Sequence, residues 1–328
     1  MMQPFKYQRV TDQAGALEVG ARPNTRFLAG GTLLVDLMKL GVETPSDLVD
    51  VNGLPLAAIE KVAGGLKVGA LSRNSDLANH PLVKENFPVL SEALLSGASP
   101  QLRNMATLGG NLMQRTRCCY FRDLAYDACN KRKPGSGCAA QGGWTRYHAV
   151  LGTSDQCIAA HPSDMAVALV ALDATVHVAG PKGARAIPIV DFHVVPGAHP
   201  EVETALAPGE MITHVLLPDS PFAKRSRYVK ARDRASYAFA LASAAVALHV
   251  DGGTIKAARV ALGGVGTKPW CSKEAEQKLE GQRPTRELYR AAAEAALAGA
   301  TTKKDNAFKV ELGKRTLARA LELAGGAA

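Results

Sequence analysis

No stretch of this chain approaches the roughly 18–20 uninterrupted apolar residues that a membrane-spanning helix needs, so no such helix is expected. The start, Met1-Met2-Gln3-Pro4-Phe5-Lys6, has neither an apolar h-region nor a twin-arginine pair. The expectation is no export signal of its own, which leaves open export as the passenger of a signal-bearing partner. Neither a Gly-x-Gly-x-x-Gly fingerprint nor a P-loop occurs, which excludes the Rossmann and Walker readings. The close Cys-x-x-Cys type of pair that marks structural zinc is missing as well. No internal repeat and no Ser/His/Asp nucleophile set is evident. What remains is ordinary in bulk: 328 residues, 47% hydrophobic and 21% charged, enough for two or three domains with a sizeable core.

The first hundred residues alternate short strands and helices. Phe5–Val10 reads as a strand, Thr11-Asp12 as a helix start and Arg26–Ala29 as a second strand. Gly30-Gly31-Thr32 leads into a helix over Leu33–Leu40, and Leu48–Val51 is a third strand. Ile59–Val62 and Leu66–Ala70 form a hairpin around Gly64-Gly65. Asn74 is expected to cap a helix running toward Leu82, and Pro88–Leu95 is helical. Residues 99–161 lack periodicity and read as one long functional loop. Regular structure resumes with the helix Met165–Leu172 and strands at Thr175–Val178 and Ile212–Leu217. Pro218–Pro221 reads as a linker. A separate C-terminal α+β domain follows, with strands Phe239–Val250 and Thr254–Leu262 about an Asp251-Gly252-Gly253 turn. Its helices are expected at Ser272–Glu280, Thr285–Ala300 and Phe308–Ala324.

Five of the six cysteines, Cys118, Cys119, Cys129, Cys138 and Cys157, fall in the irregular region; Cys271 reads as a packing residue. Residues 101–150 hold eight cations against two anions, a local excess of +6 within a net charge of +9. Nucleic-acid readers spread such charge along a helix or among stacking aromatics. Here it surrounds cysteines, which points to an anionic group. Adjacent Cys118 and Cys119 cannot easily serve one metal together, leaving one of them with Cys129, Cys138 and Cys157. The spacing matches no common ferredoxin pattern. A [4Fe–4S] cluster with four thiolates carries about −2 oxidised and −3 reduced, which the basic residues would offset. Tetrahedral zinc with four thiolates is also about −2, so iron–sulfur, zinc and disulfide or free-thiol readings stay open.

Leu28-Ala29-Gly30-Gly31-Thr32-Leu33-Leu34 sets two glycines and a hydroxyl between a strand and a helix. Such a turn can aim its amides inward as a phosphate-binding nest. A second Gly-Gly element stands at Ala106-Thr107-Leu108-Gly109-Gly110-Asn111-Leu112. Ser163-Asp164 opens a helix, where a carboxylate could take ribose hydroxyls, although both residues are also ordinary caps. Two such loops together favour a dinucleotide.

These segments resemble the FAD-binding subunits of the molybdenum hydroxylases. The likeness is strongest to the branch of bacterial periplasmic-type aldehyde oxidoreductases. It runs through Gln114–Cys118, Tyr120-Phe121, Cys129–Arg132, Pro134–Ala140, His148–Val150, Cys157–Ala159, His161–Ala168 and Lys230–Ala240. The resemblance implies an α+β fold: a two-subdomain FAD-binding domain of the PCMH/molybdopterin-dehydrogenase type over 1–221. It further implies an iron–sulfur insertion at about 113–160 and a CO-dehydrogenase-flavoprotein-like domain over 222–328. It implies FAD held by Leu28–Leu34, Thr107, Gly110, Asn111, Asp164, Ile212 and Lys230. Within that set, Gly30, Gly31, Thr32, Gly110 and Asn111 would hold the pyrophosphate, Asp164 the ribose side, and Lys230 would lie near the flavin or its phosphate. It implies a [4Fe–4S] cluster on Cys118, Cys129, Cys138 and Cys157, with Cys119 at a position where relatives have another residue. His148 and His161 are expected to be structural. The implied assembly adds a large molybdenum–pterin subunit and a small subunit with two [2Fe–2S] clusters, and electrons leave for an external acceptor. Periplasmic localisation would follow from a partner's twin-arginine signal. The alternatives are a flavin subunit of 4-hydroxybenzoyl-CoA-reductase type, a stand-alone flavin oxidase, and a zinc-stapled interaction subunit.

Overall fold

A computed structural model describes residues 2–326. Its first unit is a small parallel sheet made of β1 (Lys6–Arg9), β2 (Thr25–Leu28) and β3 (Asp47–Asp50), in the order β1-β3-β2. Between them lie α1 (Gln13–Gly20), whose first turn is capped by Asp12 accepting from the Gly15 amide, and α2 (Leu34–Lys39). Val10, Ala16, Val19, Val49 and Val51 form the core of this unit.

The second unit is antiparallel. β4 (Ile59–Val62) and β5 (Gly65–Gly69) are the expected hairpin. They are followed by α3 (Asn74–Asn79), α4 (Pro81–Asn86), α5 (Pro88–Ser96), α6 (Pro100–Met105), α7 (Leu108–Leu112), α8 (Cys119–Arg122) and α9 (Asp164–Ala171). The unit closes with β6 (Thr175–Gly180), β7 (Gly183–Pro188), α10 (Ile189–Phe192) and β8 (Met211–Pro218). The five strands order as β4-β5-β8-β6-β7. Every residue of α9 is buried, because the helix is wedged between α5, α7 and α10 on one side and the C-terminal sheet on the other.

The third unit contains β9 (Ser226–Ala231), β10 (Ala242–Asp251), β11 (Thr254–Gly263) and β12 (Trp270–Cys271), with α11 (Lys273–Leu279), α12 (Arg286–Leu297) and α13 (Phe308–Gly325). Strand alternation sets its two faces. Ala242, Ala244, Val246 and Leu248 face the core made with α11–α13. Ala245 and Ala261 face the core of the second unit instead. Alanine there lets α9 approach the sheet closely, so the sheet is buried on both sides.

Several expectations are corrected. Residues 99–161 contain α6, α7 and α8 rather than one continuous loop; helices of four to six residues are too short for periodicity to reveal. Asn74 is the first helical residue, not the cap, and Pro81 divides the expected helix in two. The strand read from Phe239 starts at Ala242 because Gly264 and the preceding turn end the ladder there. β7, β9, β12 and α10 went unread.

Candidate functional site

The chain leaves β2 at the end of its parallel pairing with β3, where Leu28 sits opposite Asp50. It then turns through Gly31 in the left-handed region at φ 70°. A Cβ on Gly30 would lie 2.0 Å from the carbonyl oxygen of Met105, so only glycine lets the two segments touch. The backbone amides of Gly30, Gly31, Thr32 and Leu33 find no acceptor among the described residues. Just beyond, the ladder closes normally, with Val35 N–H donating to Gly31 C=O and Leu37 N–H to Leu33 C=O. Four successive half-buried donors without acceptors could serve as an anion cradle.

The second loop behaves differently. Leu108 N–H donates to Ser72 C=O, Gly109 N–H to Ala70 C=O, Gly110 N–H to the Thr107 hydroxyl and Asn111 N–H to Thr107 C=O. Its amides are therefore already engaged, and Thr107 is the N-cap of α7. Gly110 contributes surface rather than a donor. The Asn111 side-chain oxygen accepts from Ser163 Oγ at 2.6 Å and Gln114 Nε2 at 2.7 Å, leaving its NH₂ for the cleft. Two residues that sequence reasoning missed tie the loops together. Asn52 Nδ2 donates to Ala29 C=O at 3.0 Å, and Arg73 donates to both Asn52 Oδ1 and Met105 C=O. Nothing in their local sequence marks them, because each acts on a distant segment.

The loops divide a long cleft into two lobes of about 880 and 760 Å³. Thr32, Leu33, Ala106, Gly110, Gln114 and His161 border both lobes. Ala29, Gly30, Gly31, Leu34, Thr107 and Ile212 line the second lobe only; Asn111, Asp164 and Lys230 line the first. Leu28 lines neither, and packs beneath the turn beside Gly31. Asp164 forms a buried pair with Lys230 at 2.7 Å, and it accepts from the Tyr228 hydroxyl at 2.5 Å. Lys230 also donates to Ser96 C=O. Both carboxylate oxygens of Asp164 are thus engaged by protein, a bracing role beyond the ribose contact expected of it.

At the junction of the lobes His161 and His193 stack edge to face, with centroids 4.4 Å apart. Burial above all, with His193 and Lys131 adding to it, holds His161 well below the usual imidazole value, and His193 is pushed down to about 4, chiefly by burial.

Cys118, Cys129, Cys138 and Cys157 line one small cavity, walled by Tyr120, Phe121, Ala128, Ala140 and Ala159. Cys118 precedes α8 and points inward. Cys119 opens the helix and points to the first lobe of the cleft, where it is exposed. Cys129 and Cys138 face each other across an isolated antiparallel bridge. No two of the six cysteines are joined by a disulfide. Burial is the main reason that the Cys118 thiol is pushed up to about 12 and the Cys157 thiol is raised. Among the described residues no three His, Cys, Asp or Glu side chains converge on a single metal ion. The cavity that Cys118, Cys129, Cys138 and Cys157 line has a volume of about 10 Å³.

The basic excess around the cysteines does not survive folding. Arg115 pairs with Glu43 and Glu203, Arg117 and Arg122 with Asp36, Lys131 with Glu203 and Arg146 with Asp233. Arg132 is spent on the carbonyls of Tyr120, Phe121, Asp123 and Tyr126. Carboxylates from outside residues 101–150 neutralise most of it. Lys131 alone of these favours a thiolate, that of Cys157. Cys271, set apart in β12, has its thiol pushed up to about 11 by burial and Glu276.

Comparison with known proteins accounts for this architecture. Residues 3–220 match the FAD binding domain in molybdopterin dehydrogenase, and residues 227–324 match the CO dehydrogenase flavoprotein C-terminal domain. The chain is 52% identical to the aldehyde oxidoreductase FAD-binding subunit PaoB of Escherichia coli (strain K12), over 98% of each. It is 28% identical to the carbon monoxide dehydrogenase medium chain of Afipia carboxidovorans, over 98% of this chain and 96% of that one. Among solved structures it matches reconstituted CO dehydrogenase from Oligotropha carboxidovorans with a TM-score of 0.78, at 26% identity over the full length of both chains. Quinoline 2-oxidoreductase from Pseudomonas putida 86 matches with a TM-score of 0.77 at 25% identity, over 99% of this chain and 98% of that one. The chain belongs to the FAD-binding subunits of the molybdenum hydroxylase family.

Proposed function

We propose that this chain is the electron-transfer subunit of a three-subunit, molybdenum-dependent aldehyde oxidoreductase and carries a [4Fe–4S] cluster beside its FAD. The observation that supports the reading best is the acceptor-free amide run Gly30–Leu33, set between the two lobes of the cleft. Those amides, with the Asn111 NH₂, would take the cofactor's pyrophosphate oxygens. Gly110 would let the cofactor pass close to the backbone, and Ile212 and Leu34 would flank one lobe. Lys230 and Asp164, locked together, would keep the wall of the other lobe rigid. The flavin supplies the conversion between one-electron and two-electron chemistry. The protein's own part is to bind, orient and exclude water; no side chain need act as nucleophile.

Identity of 52% along nearly the whole chain supports the aldehyde branch over the CoA-ester reductase branch. On this reading the aldehyde is oxidised on a large molybdenum–pterin subunit, and a small subunit with two [2Fe–2S] clusters passes electrons to the FAD. An external acceptor would take them in turn. Four thiols lining one cavity are the donor set that the cluster reading calls for. Cys118, Cys129, Cys138 and Cys157 would be its ligands, losing their thiol protons as it binds. Export in the folded state on a partner's twin-arginine signal is part of the reading, and fractionation of the co-expressed subunits tests it. Metal and flavin quantitation with EPR on the chain purified without oxygen tests the rest. About four irons and one FAD per chain are expected; zinc without iron overturns the cluster.

A further inference from the structure

His148 lies between the cysteine cavity and the first lobe of the cleft. Its Nε2 is 3.1 Å from Cys118 Sγ, and it shares the wall of that lobe with Cys118. Cys118 borders both spaces. The ring is buried, and the backbone that carries it is held. The His148 amide donates to Thr145 C=O, and its carbonyl accepts from Lys309 Nζ at 2.9 Å; Lys309 reaches Gly264 C=O as well. With Nε2 facing a metal-bound thiolate, which can only accept, the proton must sit on Nε2. Nδ1 is then a bare acceptor, and it is buried without a donor in reach. That arrangement spends the ring's only N–H on the sulfur.

We propose that His148 is a positioning residue that raises the reduction potential of the cluster by donating its Nε2–H to the Cys118 thiolate. This rests on the reading that Cys118 is a cluster ligand. Reduction adds one electron to the cluster and makes its sulfurs more negative. A fixed N–H donor therefore stabilises the reduced state more than the oxidised one, and hydrogen bonds to cluster sulfurs are a recognised means of setting the potential. Every Fe–S bond and the imidazole proton stay in place. The same contact braces the one cavity cysteine that also borders the first lobe of the cleft.

The test is a redox titration of the cluster EPR signal, with dithionite as reductant, on the full chain and two variants. His148→Leu removes the donor, and His148→Gln supplies an amide N–H near the same position. The leucine variant, retaining its iron, should be about tenfold harder to reduce, a fall of about 59 mV for a one-electron couple. The glutamine variant should recover at least half of that. A leucine variant with its iron and less than about a twofold shift overturns the inference. Should the leucine variant lose its iron, isotope-labelled histidine in the unmodified chain decides. A histidine nitrogen coupling to the reduced cluster supports the inference, and none overturns it. Zinc in place of iron would instead overturn the cluster reading itself.

Discussion

Replacing Asp164 by asparagine tests how the wall of the first lobe is held. The Asp164 carboxylate and the Lys230 ammonium are 8% and 4% exposed, 2.7 Å apart. Asparagine keeps an acceptor for Lys230 or the Tyr228 hydroxyl, but it leaves the lysine charge buried without a counter-ion. Removing one partner of such a pair typically costs about 3–5 kcal/mol. The retained hydrogen bond puts the expectation near 3 kcal/mol. At a urea dependence of about 3 kcal/mol per molar, the unfolding midpoint should fall by about 1 M. The double variant Asp164→Asn with Lys230→Met removes the orphaned charge and should recover much of that loss. A coupling of about 2 kcal/mol is therefore expected from the cycle. The Tyr228 phenol is a second reporter. Burial, reinforced by the Asp164 carboxylate, holds it well above its ordinary value. In the asparagine variant it should ionise at lower pH in an ultraviolet titration. Additive single variants, agreeing within about 0.5 kcal/mol, would refute the bracing argument.

Gly30→Ala drives a Cβ to 2.0 Å from Met105 C=O, so the two loops must separate. FAD retention after gel filtration should fall at least about tenfold while far-ultraviolet circular dichroism stays unchanged; full retention would show that the cradle tolerates opening. Cys118→Ser should lose most of the iron, whereas Cys119→Ser should keep it, because only Cys118 faces the shared cavity; colorimetric iron assay decides, and the reverse pattern would reassign the ligand. Lys309→Met strips a buried donor from the carbonyls of His148 and Gly264, and should cost about 2–4 kcal/mol by urea unfolding. Burial pushes the Lys309 ammonium down to about 7, so between there and about 10.4 the unfolded chain binds more protons and this group adds stability as pH rises. The gap between native and variant should widen with pH across that window by up to about 1.4 kcal/mol per unit; a constant gap would mean that Lys309 stays charged.

Much of the fold was legible because strand period and Gly-Gly turns are local properties. β2, the turn after it, α9 and the long C-terminal hairpin all follow from residues within a few positions of one another. The first glycine loop could be read for the same reason, whereas the second could not be distinguished from it. Gly30 and Gly110 stand in similar sequence, yet the amides around Gly110 are taken by Ser72, Ala70 and Thr107, and those after Ala29 are not. Which carbonyl meets which amide is a tertiary fact. The charge count failed likewise: Asp36, Glu43, Glu203 and Asp233 lie outside the cysteine region in sequence and against it in space. Cys118 and Cys119 separate only once α8 begins between them and turns one inward and the other out.

The cysteine region must borrow its stability. Its own apolar clusters are small, one around Tyr120, Ala140 and Ile158, the other sharing Leu37 of α2 with Phe121 and Cys129. A segment of this size cannot bury enough surface to fix four thiols independently. It is instead fastened to each unit in turn. Arg122 and Arg117 hold Asp36 in the first, Arg115 and Lys131 hold Glu203 in the second, and Thr145 and His148 are tied to Asp305 and Lys309 in the third. The cleft runs among these same units. On the proposed reading, metal uptake by the thiols and cofactor uptake by the cleft both draw on one set of ties. Ordering either site should lower the cost of ordering the other, with no contact between the two groups required.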